Sequence, residues 1–381
     1  MKKNVLIVIT VCACFLVPKV VQAQNYSGDG SAENPFKIAT AEQLVKLSEE
    51  VNGGNNYTKM HFTLTADIDL ATYGENWNDG KGWIPIGHSN NARFFGNFDG
   101  AGYKIVNLFI NHEGYDNTGL FGYVYGGKVK NFGVLDAVIT GGNNVGCVSG
   151  TVGFNGEISN CFSTGKVKGV NDGIGGIAGM VRGAPLGVSS GKLTNSYSMC
   201  DVTGNNGVGG VAGIIMSGVA MNCYATGTVN GNERVGGIAG SFLDSSISNC
   251  YATGTVNGVR YIGGIAGFFR GNTNVRKFIV SNCVALNPNV SGSRNVARVT
   301  STNGSNNWAL VNQQVMVNGK PKDKLAKKEQ GMDGADISDD MDKNENWWSD
   351  GVFKEIWGTT YDSPWQWSND LARPILYWQL P

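Results

Sequence analysis

Residues 207–213, 234–240 and 261–267 read GVGGVAG, RVGGIAG and YIGGIAG, a recurrence every 27 residues. The first two are followed by the same phrase, NCYATGTVNG, at 222–231 and 249–258, and the third by SNCVALNPNV at 281–290. A unit this small, Gly-rich and nearly uncharged cannot bury a core alone. It must stack on copies of itself. Looser copies extend the pattern upstream, with Gly-rich runs at 118–122, 145–150 and 174–179. Each unit holds short apolar runs and no helix signal, so one unit predicts one turn of a parallel β-helix. The expectation is an all-β chain: a right-handed parallel β-helix with an N-terminal capping helix and a Trp-rich C-terminal cap.

Aligned columns give the repeat physical content. Asn160, Asn195, Asn222, Asn249 and Asn282 fall at one position in successive coils. Asn tolerates a left-handed corner, and stacked amides can bond one another as a ladder. The next column holds Cys161, Ser196, Cys223, Cys250 and Cys283, and two residues further come Ser163, Ser198, Ala225, Ala252 and Ala285. Small residues at alternating positions predict a tight inward face. The Cys column reads as a stack of reduced, buried thiols, with disulfides between neighbours as the alternative. Between these columns stand Phe162, Tyr197, Tyr224, Tyr251 and Val284. Alternation sends them to the outer face. There they either shield the sheet or offer a ring platform to a ligand.

Outside the repeats the chain changes character. Residues 1–23 have a charged start at Lys2 and Lys3, an apolar run from Leu6 to Val17 and a small-x-small end, Val21-Gln22-Ala23. That pattern predicts a cleaved export signal, shorter than a membrane span. Residues 24–59 read as a lead-in and a helix: Thr40 and Gln43 form a capping box, and Leu44, Leu47 and Val51 share a face. Residues 60–116 read as the first coils, with Phe62, Leu64, Ile68 and Leu70 alternating. Residues 117–300 are the repeats proper. Residues 301–381 hold a terminal coil, a polar stretch at 318–346 expected to be a solvated loop or short helix, and a cluster of Trp347, Trp348, Trp357, Trp365 and Trp367. That cluster is expected to cap the far end of the solenoid.

The V-G-G-I-A-G runs followed by I-S-N-C-Y-A-T-G-T-V closely resemble the GLUG-motif repeats of secreted and surface bacterial proteins. FKIATAEQLVKLSEEVN, WIPIG and FFGNFDGAGYKIVNLFI resemble the N-terminal region that accompanies them, and ENWWSDGVFKEIWG resembles their endings. The resemblance implies a surface solenoid. Such repeats occur in large adhesins and beside the peptidase domain of some immunoglobulin A-cleaving metallopeptidases.

The chain offers no matching chemistry. His112-Glu113-Gly114-Tyr115-Asp116 lacks the second His of a zinc-peptidase helix, and only three His exist. Asp340, Asp342 and Asn344 begin like a calcium loop, but Glu345 stands where Gly is required. Asp67 and Asp69 share a strand face and read as solvated edge charges or turn acceptors rather than a metal site. Thirty basic and thirty acidic side chains cancel, which argues against nucleic acid. Neither a catalytic constellation nor a cofactor or metal site is expected. The expected role is an exported, extracellular or cell-surface, non-enzymatic module binding host or bacterial glycans or surface proteins. Periplasmic retention is the other location an export signal allows. The rival functions are a carbohydrate-active β-helix enzyme and an envelope scaffold. The candidate binding residues are Phe162, Tyr197, Tyr224 and Tyr251.

Overall fold

A computed structural model describes residues 26–184, 189–270, 280–302, 304–328 and 331–379. The export signal expected at 1–23 lies outside the described residues. The chain is an all-β solenoid of about ten coils. Parallel pairing repeats at the sequence period: Val208 pairs with Val235 and Val235 with Ile262, while Tyr197 pairs with Tyr224 and Tyr224 with Tyr251. One wall of the solenoid is a six-stranded sheet running from Phe121–Tyr125 through Ser149–Gly153, Ala178–Arg182, Ala212–Met216 and Ala239–Leu243 to Ala266–Arg270. A second is a five-stranded sheet containing Asn206–Gly209, Glu233–Gly236 and Arg260–Gly263. The third and longest carries the Asn, Cys and Tyr columns and continues without a break from Phe36–Ile38 to Ala335–Ile337.

The second glycine of each Gly-Gly pair is fixed by the opposite wall. A Cβ on Gly237 would meet the Gly264 carbonyl oxygen and would lie 2.7 Å from the Ala252 Cβ. Gly210 faces Ala225 at the same 2.7 Å. Glycine on one wall and alanine on the other let the coil flatten until its walls touch. The intervening Val211, Ile238 and Ile265 fill the core, fully buried.

The helix α1 spans Ala41–Asn52 and buries Leu44, Leu47 and Val51 in the same core. Thr40 Oγ1 accepts from the Gln43 backbone N–H, and Gln43 Oε1 accepts from Ala39 N–H. Asn52 ties the helix end to the coil below, donating to the Pro85 carbonyl and accepting from the Gly87 and His88 amides. Asp67 and Asp69 are turn acceptors, for Lys104 N–H and for Ala71 N–H and Asn107 respectively.

Two expectations for the C-terminal part need correction. The stretch 318–346 is not a solvated loop throughout. A short antiparallel pairing of Gln314–Val317 with Lys320–Pro321 and the parallel strand Ala335–Ile337 extend the last coils. Within it Asp333 is buried and paired with Lys322, and the buried Arg298 meets Asp336. The Trp-rich segment, expected across the far end, packs along the side of the coils against Tyr197, Tyr224 and Tyr251. Tyr361 reaches Glu157, which lies 204 residues earlier in the chain.

Candidate functional site

The aromatic column stands outside the coil, as strand alternation requires, and forms an apolar cluster separate from the core. Phe162, Tyr197, Tyr224 and Tyr251 stack in register, with ring centres 5.1, 4.7 and 4.9 Å apart and planes within 10°. The three tyrosines are nonetheless buried, at 7, 4 and 2 % exposure. The expected open ring platform is therefore corrected: the C-terminal strap lies over it. Trp348 and Trp365 cover Tyr251, and Trp378 covers Tyr197 at 5.6 Å. Most of the polar ends are matched, although Trp365 Nε1 is buried without a partner. Tyr251 donates to the Pro374 carbonyl, Gln379 Nε2 donates to Tyr224 Oη, and Trp378 Nε1 donates to the Asn195 carbonyl. Burial pushes the Tyr197 phenol up to about 12 and raises those of Tyr224 and Tyr251 as well. A hairpin of Trp365–Ser368 with Arg373–Leu376 stiffens the strap. Its Arg373 pairs with the buried Asp342 at 2.7 Å.

The strap also breaks the asparagine ladder. All five predicted asparagines adopt the left-handed corner, with φ between 48 and 56°. Asn222 donates to Asn195, Asn249 to Asn222, and Asn282 to Asn249, at 2.9 to 3.3 Å. Lower down Asn160 donates to Asn131, and Asn131 to Asp99. Between Asn160 and Asn195 the rung is missing. Asn195 Nδ2 donates instead to the Tyr361 carbonyl, and Asn160 Oδ1 is left without a hydrogen-bond partner.

That gap opens on a cleft of about 460 Å³ at the edge of the strap. Phe162 and Trp378 supply its aromatic walls, with ring centres 6.1 Å apart. Phe162 is half-buried where its column partners are sealed. Asn131, Asn160 and Gln379 bring amides to the lining, and Lys104 stands exposed at the rim. Among the described residues that line the cleft none carries a carboxylate. Rings, amides and one cation can bind a polar ligand with apolar faces but supply no acid-base pair.

The structure thus groups the predicted residues differently from the sequence. Phe162 and Asn160 meet at the cleft with Tyr197 at its back, while Tyr224 and Tyr251 are packing residues. Cys161, Cys223, Cys250 and Cys283 are buried free thiols, each donating to the carbonyl two residues earlier at 3.1 to 3.3 Å. Burial pushes Cys161 up to about 12 and raises Cys223 and Cys250 too. Ser196 separates Cys161 from the other three. Cys147 and Cys200 lie outside that column, with sulfurs 3.5 Å apart. Sequence reasoning missed Asn131, although its Lys130-Asn131-Phe132 context parallels Ser159-Asn160-Cys161. It also missed Lys104, Trp378 and Gln379, which belong to no repeat. Among the described residues no group of three or more His, Cys, Asp or Glu is placed to hold a metal ion.

Residues 231–257 match the family model described as the GLUG motif. A protein named halomucin from Haloquadratum walsbyi is 39% identical over 158 residues, which are 40% of this chain and 2% of that one. A protein described as a Gly-rich membrane protein of Evansella cellulosilytica is 39% identical over 114 residues, 30% of this chain and 12% of its own length. The chain therefore spans a small fraction of these relatives. A crystal structure from Bacteroides ovatus at 1.30 Å resolution, provisionally described as an immunoglobulin A1 protease, superposes with a TM-score of 0.62. The match covers 92% of this chain and 94% of that one at 22% identity, which shows the fold alone. Among the described residues no helix is long and apolar enough to cross a membrane.

Proposed function

We propose that this GLUG-motif solenoid is exported and works at the cell surface as a non-enzymatic, adhesin-like module that binds a saccharide in the cleft between Phe162 and Trp378. The observation that carries the reading is the break in the ladder. It leaves Asn160 Oδ1 buried and unpartnered directly beneath a cleft walled by two aromatic rings and lined by the amides of Asn131 and Gln379. A sugar presents apolar C–H faces to the rings and hydroxyls to the amides of Asn131 and Gln379 in the lining. The lining without carboxylates favours holding a ligand over cleaving one. The names of the two relatives, a halomucin and a Gly-rich membrane protein, are in keeping with a surface role.

Purified full-length protein screened against glycans, mucin and matrix proteins tests this. A saccharide should bind, and Phe162→Ala should weaken it by about 2 kcal/mol, roughly thirtyfold, in a variant that remains folded at the assay temperature. Binding only to a protein would overturn the saccharide assignment. Binding indifferent to Phe162→Ala would overturn the site.

A further inference from the structure

Two arginines and four aromatic rings gather on the outer surface of the six-stranded wall, away from the strap. Alternation along Phe121–Tyr125 buries Phe121 and Val124 and turns Tyr123 and Tyr125 outward. The Arg93 guanidinium lies 4.5 Å from the centre of the Tyr125 ring and 5.5 Å from that of Tyr123. Tyr125 is flanked by Phe95 at 5.4 Å and Phe154 at 4.8 Å, and Arg182 lies 5.2 Å over Phe154. All six side chains are half-buried.

Among the described residues Arg93 and Arg182, like Arg234 over Phe268, are held against rings with no carboxylate partner, whereas three other arginines are paired. Arg260 pairs with Glu233, Arg298 with Asp336 and Arg373 with Asp342. Arg93 donates once, to Asn90 Oδ1 at 3.1 Å, and the Nε atoms of Arg93 and Arg182 are buried with no acceptor. Asp116, whose charge reaches Tyr123, is occupied by the Asn143 backbone and side-chain amides. Cation–π contacts hold the two guanidiniums in place but do not neutralise them. A guanidinium held in position and partly desolvated presents a fork matched to carboxylate or sulfate oxygens.

We propose that Arg93 and Arg182, held over Tyr125 and Phe154, form a second binding site that takes an acidic polysaccharide laid along the solenoid axis. Carboxylate or sulfate groups meet the two forks, and sugar faces lie on the rings between them. Phe94 bridges to Val124, Val124 pairs with Val152 and Val152 with Val181, so the arginines stand three coils apart. Their backbones are roughly 14 Å apart at the spacing of stacked strands. The two guanidiniums lean inward over Tyr125 and Phe154, whose ring centres are 4.8 Å apart, so the forks are closer than the backbones and suit a polymer with closely spaced anionic groups. An acidic peptide is disfavoured. The strands beneath the patch are already paired on both sides, so an added strand would find no main-chain partners. Nucleic acid is disfavoured because the chain carries equal numbers of acidic and basic residues, with no basic stripe.

The test is binding of the full chain to heparin, to a carboxylated unsulfated polysaccharide and to neutral dextran, at low and raised salt. At least one acidic polymer should bind in a salt-sensitive manner and dextran should not. Binding to both assigns the shared anion chemistry, and binding to one identifies sulfate or carboxylate as the group recognised. Arg93→Gln and Arg182→Gln should each weaken binding at least about tenfold with unchanged melting. Arg93→Lys, which keeps the charge but loses the fork, should recover only part and guards against misfolding of the glutamine variant. Phe162→Ala should leave this binding intact, which separates it from the cleft. Equal retention on dextran, undiminished binding in both glutamine variants, loss in Phe162→Ala, or stronger binding to polyglutamate or duplex DNA would each overturn the proposal.

Discussion

A single residue type explains why the repeat tolerates so little variation. Gly237 has the Gly264 carbonyl on one side and the Ala252 Cβ across the coil. An added methyl must push two walls apart, and neither is a flexible side chain. Gly237→Ala should therefore destabilise the protein by about 3 kcal/mol, the upper end of overpacking costs, because the shift passes to the coils on either side. Gly351→Ala is the control. Nothing lies within 4 Å of its Cβ, so its melting should match wild type within about 0.5 kcal/mol. Thermal unfolding of the two variants checks both values. The asparagine column is as local in origin. Asn160, Asn195, Asn222, Asn249 and Asn282 each take the left-handed corner a β-branched residue would resist, and the ladder adds hydrogen bonds wherever the next amide is free.

At the scale of elements the strap is the decisive piece. It buries three tyrosines whose phenols ordinarily titrate near 10.0 and which burial holds protonated to higher pH, Tyr197 to about 12. Above pH 10 the unfolded chain releases protons that the folded one keeps, so the folded state binds more and stability falls as pH rises. Unfolding free energy should begin to fall near pH 9, where the thiols of Cys161, Cys223 and Cys250 ionise in the unfolded chain but not in the folded one. It should drop further between 10 and about 12, with the phenolate absorbance of the buried tyrosines appearing together with unfolding. The columns beneath the strap were legible in the sequence because a coil must repeat its neighbour, so a structural need appears at every period. The strap was not. It occurs once, and its contacts cross long separations, as in Tyr251 to Pro374, 123 residues apart. Its tryptophans announced an aromatic cluster without saying what it covers. The cleft was half legible for the same reason: Phe162 and Asn160 belong to columns, whereas Lys104, Trp378 and Gln379 do not.

For the whole molecule, the long sheet joins the first coils, the repeats and the terminal coil into one rod with no break. Such a rod offers long lateral surfaces instead of one deep pocket, which suits contacts that are modest singly and gain by repetition. The surface that first invites attention, the tyrosine stripe, is closed by the chain's own C-terminal segment. The two proposed binding surfaces lie elsewhere, at the edge of the strap and at the arginine-ring patch on another wall. The direct test is hydroxyl-radical footprinting of the native protein read tyrosine by tyrosine. Tyr103 and Tyr361, at 37 and 39 % exposure, should be oxidised readily, and Tyr197, Tyr224 and Tyr251 should be protected until the protein unfolds. Oxidation of Tyr224 or Tyr251 in the folded protein at the rate of Tyr103 would show the strap unseated and would contradict the account.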